Sequence, residues 1–435
     1  MVVKRDIIEE IKIFLKRREF IAIIGPRQAG KTTLLEMLKD YLVSDLKVDK
    51  RRIQTVTFED RRLLAQFESE PIGFVQSYFP ILTEDEPSYL MIDEFQYVEN
   101  GGQKLKLLYD TMKGIKIIIT GSSSLEIKAE VGRFMVGRLL SFYLFPFNFS
   151  EILRAKDLRL EGIYQKNNKL ITEWLFEAKE MDKREGKDIF REEVLRYYED
   201  YCIFGGYPSV VLSLTEKEKR KVLSEIYNNY ILKEIKTLLE LSTEKNLLFI
   251  SQYLATQIGN LLTYQDLCQA SGLNYRQVKK HLHILKETMV CLETKPFFTN
   301  RKKELTKNPK VFFIDLGFRN NLIENMNRFD KRSDKGALVE NAVFGRLNEL
   351  TRDCGKINFW RTKAKAEVDF ILQIKGETIP LEVKFSRFSF PKLSRSLISF
   401  INSYKPKQGL ILTQDYWGIT QVDKTKILFA PVYYL

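Results

Sequence analysis

Short apolar runs, each ending in glycine or a polar residue, recur through the first 145 residues of the chain. Runs of this kind are typical of strands that are buried on both faces of a parallel sheet. A helical pattern over residues 33–42 follows the first run, as in a strand–helix unit. The predicted strands are residues 20–24, 53–58, 89–92, 115–120 and 139–144.

The loop between the first strand and this helix has the pattern GxxxxGK[ST]. Its glycines let backbone N–H groups close around phosphates, and the helix N-terminus adds positive potential. Lys31 would neutralise charge on the β- and γ-phosphates, and Thr32 would offer its hydroxyl to Mg²⁺. ATP and Mg²⁺ are therefore the expected cofactors. The expected nucleotide-binding residues of this loop are Gly25, Pro26, Arg27, Gln28, Ala29, Gly30, Lys31, Thr32 and Thr33.

An acidic pair, Asp93 and Glu94, ends the strand predicted at residues 89–92. Asp93 at the carboxyl end of a strand can hold magnesium, and Glu94 can orient the attacking water. Thr120 and Ser122, at the end of the fourth predicted strand, are candidates for contact with the γ-phosphate or the catalytic water. An ordinary helix N-cap is the alternative for these two residues.

The order of these motifs resembles an AAA+ ATPase: P-loop, Asp-Glu after a strand, Thr-Gly-Ser, Gly-Arg before the fifth strand, and Pro-Phe after it. The likeness is greatest to prokaryotic AAA+ proteins with a C-terminal domain of unknown function that has a restriction-endonuclease-like fold. In AAA+ proteins an arginine before the fifth strand acts on the neighbouring subunit's nucleotide. The resemblance implies this role for Arg138, with Arg133 as second choice, and implies a homo-oligomer. A salt bridge within its own subunit is the alternative for Arg138.

Residues 146–258 show a helical pattern with few turn residues, as expected of an AAA+ helical lid. The highly charged residues 155–190 are interpreted as an insertion. Gly-Gly-Tyr-Pro at residues 205–208 resembles a turn of the same family. A helix break is favoured there over a role near the nucleotide.

A helix, a tight turn and a second helix are predicted at residues 263–288, with Asn274 as the cap of the second helix. Two strands at residues 290–295 and 310–314 then flank a basic loop, which gives a winged-helix pattern. Such a domain can bind DNA or serve as a protein-docking spacer. The candidate DNA-binding residues are Arg276, Lys279, Lys280, Arg301, Lys302 and Lys303.

Charge is distributed unevenly along the chain. Residues 1–259 contain 40 Lys and Arg and 40 Asp and Glu, whereas residues 260–435 contain 30 and 17 and so carry the whole net charge of +13. A basic C-terminal half favours a polyanionic partner, with DNA as the expected one. A solvated lysine-rich surface is the alternative.

The C-terminal region contains acidic residues in a spacing that favours metal-dependent phosphodiester chemistry. If Lys375 and Gly376 form a two-residue turn, Asp369 faces Glu382 across a hairpin, and Lys384 shares their face. With Glu340 on the preceding helix, this resembles the PD-(D/E)XK nuclease superfamily. The resemblance implies that Glu340, Asp369 and Glu382 hold Mg²⁺ and that Lys384 positions the attacking hydroxide. A salt bridge on an exposed sheet face is the alternative.

The expected fold is α/β, in four parts: an AAA+ P-loop core with a parallel sheet (1–145), a helical lid (146–258), a winged helix (259–325) and a restriction-endonuclease-like α/β domain (326–435). We expect a DNA-directed ATPase coupled to a nuclease, in genome maintenance or mobile-element defence. A regulatory ATPase whose nuclease-like domain binds without cleaving, and a protein-remodelling ATPase, are the alternatives. No apolar run approaches the ~20 residues of a membrane span. No signal peptide, disulfide framework or zinc motif is evident, so a cytoplasmic protein is expected.

Overall fold

The computed structural model describes residues 2–121, 131–179, 186–229, 244–298, 304 and 307–435. The chain divides into two compact units. Unit 1 comprises Met1–Phe147 with Glu287–Val290, and unit 2 comprises Asn148–Lys286 with Cys291–Leu435. Within the described ranges, every helix is too short or too polar to span a lipid bilayer. The finer division into four parts stays a prediction.

Unit 1 is built around a five-stranded sheet whose strands all run parallel. The strands are β1 (Phe20–Ile24), β2 (Ile53–Thr57), β3 (Ser88–Asp93), β4 (Ile115–Gly121) and β5 (Leu139–Tyr143). Their order is β2-β3-β4-β1-β5, so the carboxyl ends of β1, β4 and β3 are adjacent at one edge. Every residue of these three central strands is buried, which explains their uninterrupted apolar runs in the sequence.

Helices flank this sheet and supply much of its core. They are α1 (Ile7–Lys12), α2 (Lys31–Ser44), α3 (Arg61–Ser69), α4 (Pro71–Tyr78), α5 (Gly101–Thr111) and α6 (Gly132–Phe134), with short 3-10 turns at Lys50–Arg52 and Phe95–Tyr97. Leu34, Leu35 and Leu38 of α2 pack with Ile21 and Ile23 of β1 in one buried cluster. The helix that starts at the P-loop is thereby fixed on the sheet.

The chain after residue 147 begins with a mainly helical segment. The helices of the whole chain after residue 147 are α7 (Phe149–Lys156), α8 (Leu158–Glu177), α9 (Arg191–Phe204), α10 (Pro208–Leu212), α11 (Glu216–Asn229), α12 (Glu244–Thr256), α13 (Tyr264–Ser271), α14 (Tyr275–Glu287), α15 (Leu316–Leu322), α16 (Lys335–Thr351) and α17 (Arg395–Tyr404), with 3-10 turns at Phe329–Lys331 and Val432–Tyr434. Much of the charged segment 155–190 is the 20-residue helix α8, which buries Tyr164, Ile171 and Trp174. The indole of Trp174 donates to the carbonyl of Gly409, so this segment is an integral part of unit 2.

Unit 2 contains a nine-stranded mixed sheet. Its strands are β6 (Gly186–Lys187), β7 (Cys291–Pro296), β8 (Lys310–Phe313), β9 (Gly355–Arg361), β10 (Glu367–Ile374), β11 (Glu377–Lys384), β12 (Gln408–Thr413), β13 (Tyr416–Val422) and β14 (Thr425–Pro431). Their order is β6-β13-β14-β12-β11-β10-β9-β7-β8. The predicted register of the β10–β11 hairpin is confirmed, since Phe370 pairs with Leu381. Lys375 and Gly376 form its turn with positive φ angles of 50° and 82°.

The β7–β8 hairpin, predicted as the wing of a winged helix, belongs to this sheet. β7 pairs in parallel with β9 through Lys295↔Asn358 and Pro296↔Phe359. The helix–turn–helix that precedes it is present as α13 and α14, and Asn274 caps α14 by accepting from the N–H of Gln277 at 3.0 Å. The hairpin therefore extends the C-terminal sheet instead of standing apart from it.

Candidate functional site

The P-loop connects the carboxyl end of β1 to the first turn of α2 and approaches its neighbours closely. A Cβ on Gly25 would lie 2.2 Å from the carbonyl oxygen of Leu144, so no other residue fits there without a shift of the backbone. Gly30 has φ = 95°, and Gln28 has φ = 59°. Both values lie in the left-handed region, which glycine adopts without steric cost. The loop thus has the compact curvature that aims backbone N–H groups at a phosphate.

Lys31 is buried within the curve of the P-loop. Its ammonium donates to the carbonyl oxygens of Gly25 and Pro26 at 3.0 and 3.2 Å, and the residue is 5% exposed. These acceptors belong to the loop itself. Lys31 is therefore held at the P-loop by the carbonyl groups of the loop itself.

Asp93 joins the ends of three elements. One of its carboxylate oxygens accepts from the hydroxyl of Thr32 at 2.5 Å, and the other accepts from the hydroxyl of Thr120. Thr32 comes from α2, Asp93 from β3 and Thr120 from β4. The strand order therefore brings these three predicted residues together. Among the described residues, the Thr120 hydroxyl contacts Asp93 and the N–H of Glu94.

Glu94 follows with a backbone conformation that is uncommon for a residue with a side chain. Its φ is 56°, and its N–H donates to Asp93 Oδ1 at 3.1 Å and to the Thr120 hydroxyl at 3.3 Å. The side-chain amide of Gln96 donates to its carboxylate. Non-glycine residues at positive φ cost energy and concentrate at functional sites. The local structure thus holds the Glu94 carboxylate in one direction.

Arg5 also supports the P-loop, and sequence reasoning missed it. Its guanidinium donates to the carbonyls of Ala29 at 2.8 Å and Phe145 at 2.6 Å and stacks over Phe147. The residue is 5% exposed. An arginine near the start of a chain carries no local signal of burial, because its acceptors are distant in sequence.

These residues fit a magnesium–nucleotide complex. Thr32 and Asp93 bring a hydroxyl and a carboxylate oxygen within 2.5 Å of each other, and oxygen donors of this type are the ligands that Mg²⁺ takes. Arg27, whose guanidinium contacts the hydroxyl of Tyr97 at 3.4 Å, lies in the same loop. Thr33 is exposed at the first turn of α2, and Ser122 lies outside the described residues.

Arg138 lies at the edge of the unit 1 sheet formed by the amino ends of the strands, whereas the P-loop lies at their carboxyl ends. It directly precedes β5, and its carbonyl accepts from the N–H of Phe20 at the start of β1. Its guanidinium pairs with Asp110 of the same chain at 3.1 Å. A cavity of ≈740 Å³ also lies at this edge, lined by the starts of β1 and β4 and by no P-loop residue. Arg138 is thus remote from the P-loop of its own chain, and Arg133 is exposed.

Helix α14 presents the candidate DNA-binding residues to solvent. Arg276, Lys279 and Lys280 are exposed, and Val278 and Leu282 bury the opposite side of the helix. The ammonium of Lys279 lies 4.6 Å from the ring centre of Tyr275. Arg301, Lys302 and Lys303 lie outside the described residues.

The Gly-Gly-Tyr-Pro turn binds a carboxylate of its own chain. Asp315 accepts from the N–H of Gly206 at 2.7 Å and of Phe318 at 2.8 Å. A Cβ on Gly205, whose φ is 74°, would lie 2.2 Å from an Asp315 oxygen. Burial raises the pKa of Asp315 to about 6, although the backbone donors act to lower it. The turn is therefore a structural connection in unit 2.

The β10–β11 hairpin of unit 2 brings Asp369, Glu382 and Lys384 to one region, as its register requires. Asp369 accepts from the N–H of Val383 at 2.7 Å. Glu382 is 1% exposed, accepts from the hydroxyl of Ser394 at 2.6 Å, and has Lys384 3.7 Å from its other oxygen. Burial raises the pKa of Glu382. A β-bulge between Val368 and Ile371 in the pairing with β9 alters the aim of the side chains here.

Glu340, the third expected ligand, is paired with a lysine. Its carboxylate pairs at 3.1 Å with Lys310, a residue of β8, and Lys310 also pairs with Glu367 at 2.6 Å. Across the described residues, no group of three or more His, Cys, Asp or Glu is arranged to hold a metal ion. The structure therefore does not assemble Glu340, Asp369 and Glu382 as one set of ligands. Lys310 was not expected to take part, since nothing in the spacing links β8 to this hairpin, whereas Glu367 lies on β10, two residues before Asp369.

Three family models match the chain. An AAA domain matches residues 17–153, and two domains of unknown function, DUF8612 and DUF4143, match residues 195–328 and 335–433. The first match contains the P-loop, β3 with Asp93, and β5. Residues 17–153 are thus similar to an AAA domain. This match agrees with the P-loop geometry of unit 1, whereas the other two matches assign no activity to unit 2.

Relatives of the chain extend over most of its length. A protein of Haemophilus influenzae is 24% identical over 441 residues, which cover 99% of this chain and 98% of that protein. One from Methanocaldococcus jannaschii is 24% identical over 381 residues (85% and 75%), and one from Mycobacterium tuberculosis is 21% identical over 403 residues (92% and 77%). All three are named only as uncharacterised proteins. These matches extend over both the P-loop region and the C-terminal region of this chain.

Solved structures give a more distant likeness. The ORC2 protein of Aeropyrum pernix in its ADP form has a TM-score of 0.35 at 15% identity, over 68% of this chain and 88% of that one. The ORC1 protein of the same organism, in complex with DNA, has a TM-score of 0.32 at 12% identity, over 74% and 94%. These low scores describe a distant similarity of fold and identify no function.

Proposed function

We propose that the chain hydrolyses ATP and acts on DNA as a homo-oligomer, in genome maintenance or in defence against mobile DNA. The observation that supports hydrolysis best is the bonding of Asp93, whose two oxygens accept from Thr32 and Thr120. A P-loop hydroxyl, a carboxylate at a strand end and the adjacent Glu94 are thereby held in one place. This is the set of groups that phosphoryl transfer to water requires.

Each residue of this set has a separate task. Lys31 would exchange its two backbone carbonyl acceptors for phosphate oxygens. Thr32 and Asp93 would hold Mg²⁺, which screens phosphate charge when it is bound. Glu94, fixed through its N–H by Asp93 and Thr120, would orient the attacking water. Arg138 would act on the nucleotide of a neighbouring subunit, after exchanging its Asp110 partner for phosphate.

The proposed DNA contact rests on charge and exposure. The whole net charge of +13 belongs to residues 260–435, and α14 exposes Arg276, Lys279 and Lys280 on one side while its other side is buried. Lysine and arginine side chains on an exposed helix contact phosphates and give a salt-dependent affinity. We therefore place the DNA-binding surface on α14.

The decisive experiment measures ATP hydrolysis with and without duplex, single-stranded and branched DNA at two salt concentrations. We expect one form of DNA to stimulate hydrolysis, with less stimulation at the higher salt concentration. Glu94→Gln should abolish both the basal and the stimulated rates. Hydrolysis that no DNA changes would contradict the proposed DNA role and leave the ATPase assignment intact.

A matched pair of variants tests the DNA-binding surface. Lys279→Glu on α14 should weaken DNA binding and lower the slope of affinity against salt concentration by about one unit. Lys245→Glu, at an exposed position on α12, makes the same charge change and should leave the slope unchanged. Equal losses in the two variants would indicate a general effect of net charge and would argue against α14.

Metal-dependent phosphodiester cleavage is the second candidate function, for unit 2. Its support is the hairpin register, which brings Asp369, Glu382 and Lys384 together. The pairing of Glu340 with Lys310 favours the other interpretation, a module that binds without cleaving. DNA cleavage that depends on Mg²⁺ or Mn²⁺ and disappears in Asp369→Ala would establish the nuclease. Absence of cleavage in the wild-type chain would support the binding module.

A further inference from the structure

Lys310 lies among three carboxylates of unit 2, those of Glu340, Glu367 and Asp369, which we call the carboxylate cluster. Its ammonium is 2.6 Å from a Glu367 oxygen and 3.1 Å from a Glu340 oxygen, and the side chain is 2% exposed. The ring centre of Phe359 lies 5.4 Å from the same nitrogen. Glu340 comes from α16, Glu367 from β10 and Lys310 from β8. Three separate elements therefore enclose this ammonium.

The ammonium of Lys310 has two carboxylate partners and little contact with solvent. Glu340 lies 3.1 Å away and Glu367 2.6 Å away, while the lysine side chain is 2% exposed. Asp369 adds a third negative charge close by. A buried ammonium is stable only when paired charges offset its desolvation. The cluster thus contains a positive charge supplied by the chain itself.

A divalent cation would need the space and the oxygens that Lys310 uses. Mg²⁺ takes oxygen ligands at about 2.0–2.1 Å in an octahedron, and carboxylates are its usual protein ligands. With Lys310 bonded to Glu340 and Glu367, two of the carboxylates around Asp369 already have a cationic partner. A metal ion bound to the same carboxylates would lie close to the ammonium of Lys310, and the two positive charges would repel each other. The metal ion and the ammonium therefore exclude each other.

A second observation indicates that this region is suited to a cation. Glu382 is 1% exposed, and its Oε2 has no hydrogen-bond donor among the described residues. Lys384, 3.7 Å away and 40% exposed in its side chain, is too distant for a hydrogen bond. Buried carboxylate oxygens without a donor are rare, and a bound ion or water commonly satisfies them.

We propose that Lys310 is the resident cation of this cluster and keeps divalent metal ions out of it. The inference deepens the second candidate function, because it rests on Asp369 and Glu382 being the carboxylates of a nuclease-like site. It adds the regulation of that site: metal binding requires Lys310 to leave Glu340 and Glu367. A lysine on the β7–β8 hairpin thereby controls a site on the β10–β11 hairpin.

Binding of Mn²⁺ to the nucleotide-free full chain, followed by electron paramagnetic resonance, tests this directly. Lys310→Met keeps the length of the side chain and removes its charge. We expect Mn²⁺ to bind this variant at least about tenfold more tightly than wild type. Lys310→Arg should behave as wild type, and Asp369→Asn in the Lys310→Met chain should remove the gain. Wild type binding Mn²⁺ as tightly as Lys310→Met would overturn the proposal, as would a gain that survives Asp369→Asn.

The wild-type chain provides a second measurement if Lys310→Met does not fold. Wild type and Asp369→Asn should bind Mn²⁺ equally, because the site that includes Asp369 is already occupied by Lys310. Weaker binding in Asp369→Asn would overturn the proposal. Metal-dependent DNA cleavage, measured on the same proteins, reports separately on the second candidate function. Absence of cleavage leaves the Mn²⁺ result interpretable, because metal binding is measured directly.

Discussion

Two buried lysines show how differently the two units use the same side chain. Lys31 in unit 1 donates to the backbone carbonyls of Gly25 and Pro26, whereas Lys310 in unit 2 pairs with the carboxylates of Glu340 and Glu367. Carbonyl groups satisfy the hydrogen bonds of an ammonium without cancelling its charge, whereas carboxylates cancel it. The first arrangement is suited to an incoming anion, and the second is closed to an incoming cation. The partners of a lysine therefore indicate its role better than its burial does.

The largest effect is expected for Lys310→Met in the absence of metal. Removing one partner of a buried ion pair leaves Glu340 and Glu367 uncompensated, which typically costs about 3–5 kcal/mol. Urea unfolding of the metal-free proteins measures this loss. Lys286→Met is the control, because Lys286 pairs with Glu293 at 2.9 Å with a third of its side chain exposed; there we expect less than about 1 kcal/mol. Equal losses would contradict the contrast between buried and exposed pairs.

Lys31→Ala tests the other half of the comparison. Because Lys31 would stabilise phosphate charge in the transition state, we expect ATP turnover to fall on the order of 10²–10³-fold. The unfolding free energy should change far less than in Lys310→Met, since the carbonyls of Gly25 and Pro26 carry no net charge. Lys39→Ala, on the same helix, should leave turnover within about twofold of wild type. A stability loss as large as that of Lys310→Met would remove the distinction between the two lysines.

Asp315 is a third buried charge, satisfied by backbone N–H groups. Burial raises its pKa from 3.8 to about 6. Because the folded-state pKa exceeds the unfolded one, its contribution to stability is complete below about pH 4 and is lost as pH rises through 6. The shift corresponds to about 3 kcal/mol. Unfolding free energies from pH 4 to 7 should therefore fall for wild type relative to Asp315→Asn. Parallel curves for the two proteins would contradict this assignment, and Asp330→Asn, at an exposed position, is the control.

Thr120→Val should give the smallest of these effects. It removes the hydroxyl that donates to Asp93 and accepts from the Glu94 N–H. Loss of one such hydrogen bond costs about 1 kcal/mol, so we expect the kcat for ATP to fall roughly fivefold to tenfold. Thr120→Ser retains the hydroxyl and should keep most of the rate. A loss in Thr120→Ser without a loss in Thr120→Val would indicate a packing role for the methyl group and would contradict the role of the hydroxyl.

Features encoded within a few residues could be predicted from the sequence. The P-loop follows from its glycines and its position after an apolar run, and the strand ends place Asp93 and Thr120 beside it. The register of β10 and β11 follows from a two-residue turn, because the turn length fixes which residues face each other. These local rules are sufficient for the nucleotide site of unit 1.

Features that depend on distant partners could not be predicted. Arg5 is fixed by Ala29 and Phe145, and Lys310 by Glu340 and Glu367, so no spacing in the sequence relates them. Such charges look like ordinary solvated residues until the fold buries them together. The same limit explains why Glu340 was expected to bind metal. Its position on a helix before the hairpin is evident from the sequence, but its lysine partner is not.

The pairing of β7 with β9 has a consequence for how this part of the molecule opens. Besides Lys295↔Asn358, the side chain of Thr294 donates to the carbonyl of Ile357, and the N–H of Phe297 donates to the carbonyl of Phe359. Strands bonded in this way separate together or not at all, so their amide hydrogens should exchange with solvent deuterium as one cooperative group. The β7–β8 hairpin and the C-terminal sheet would then form a single unit of local unfolding. A force applied to the β7–β8 hairpin would reach the β10–β11 hairpin through β9, the strand between them.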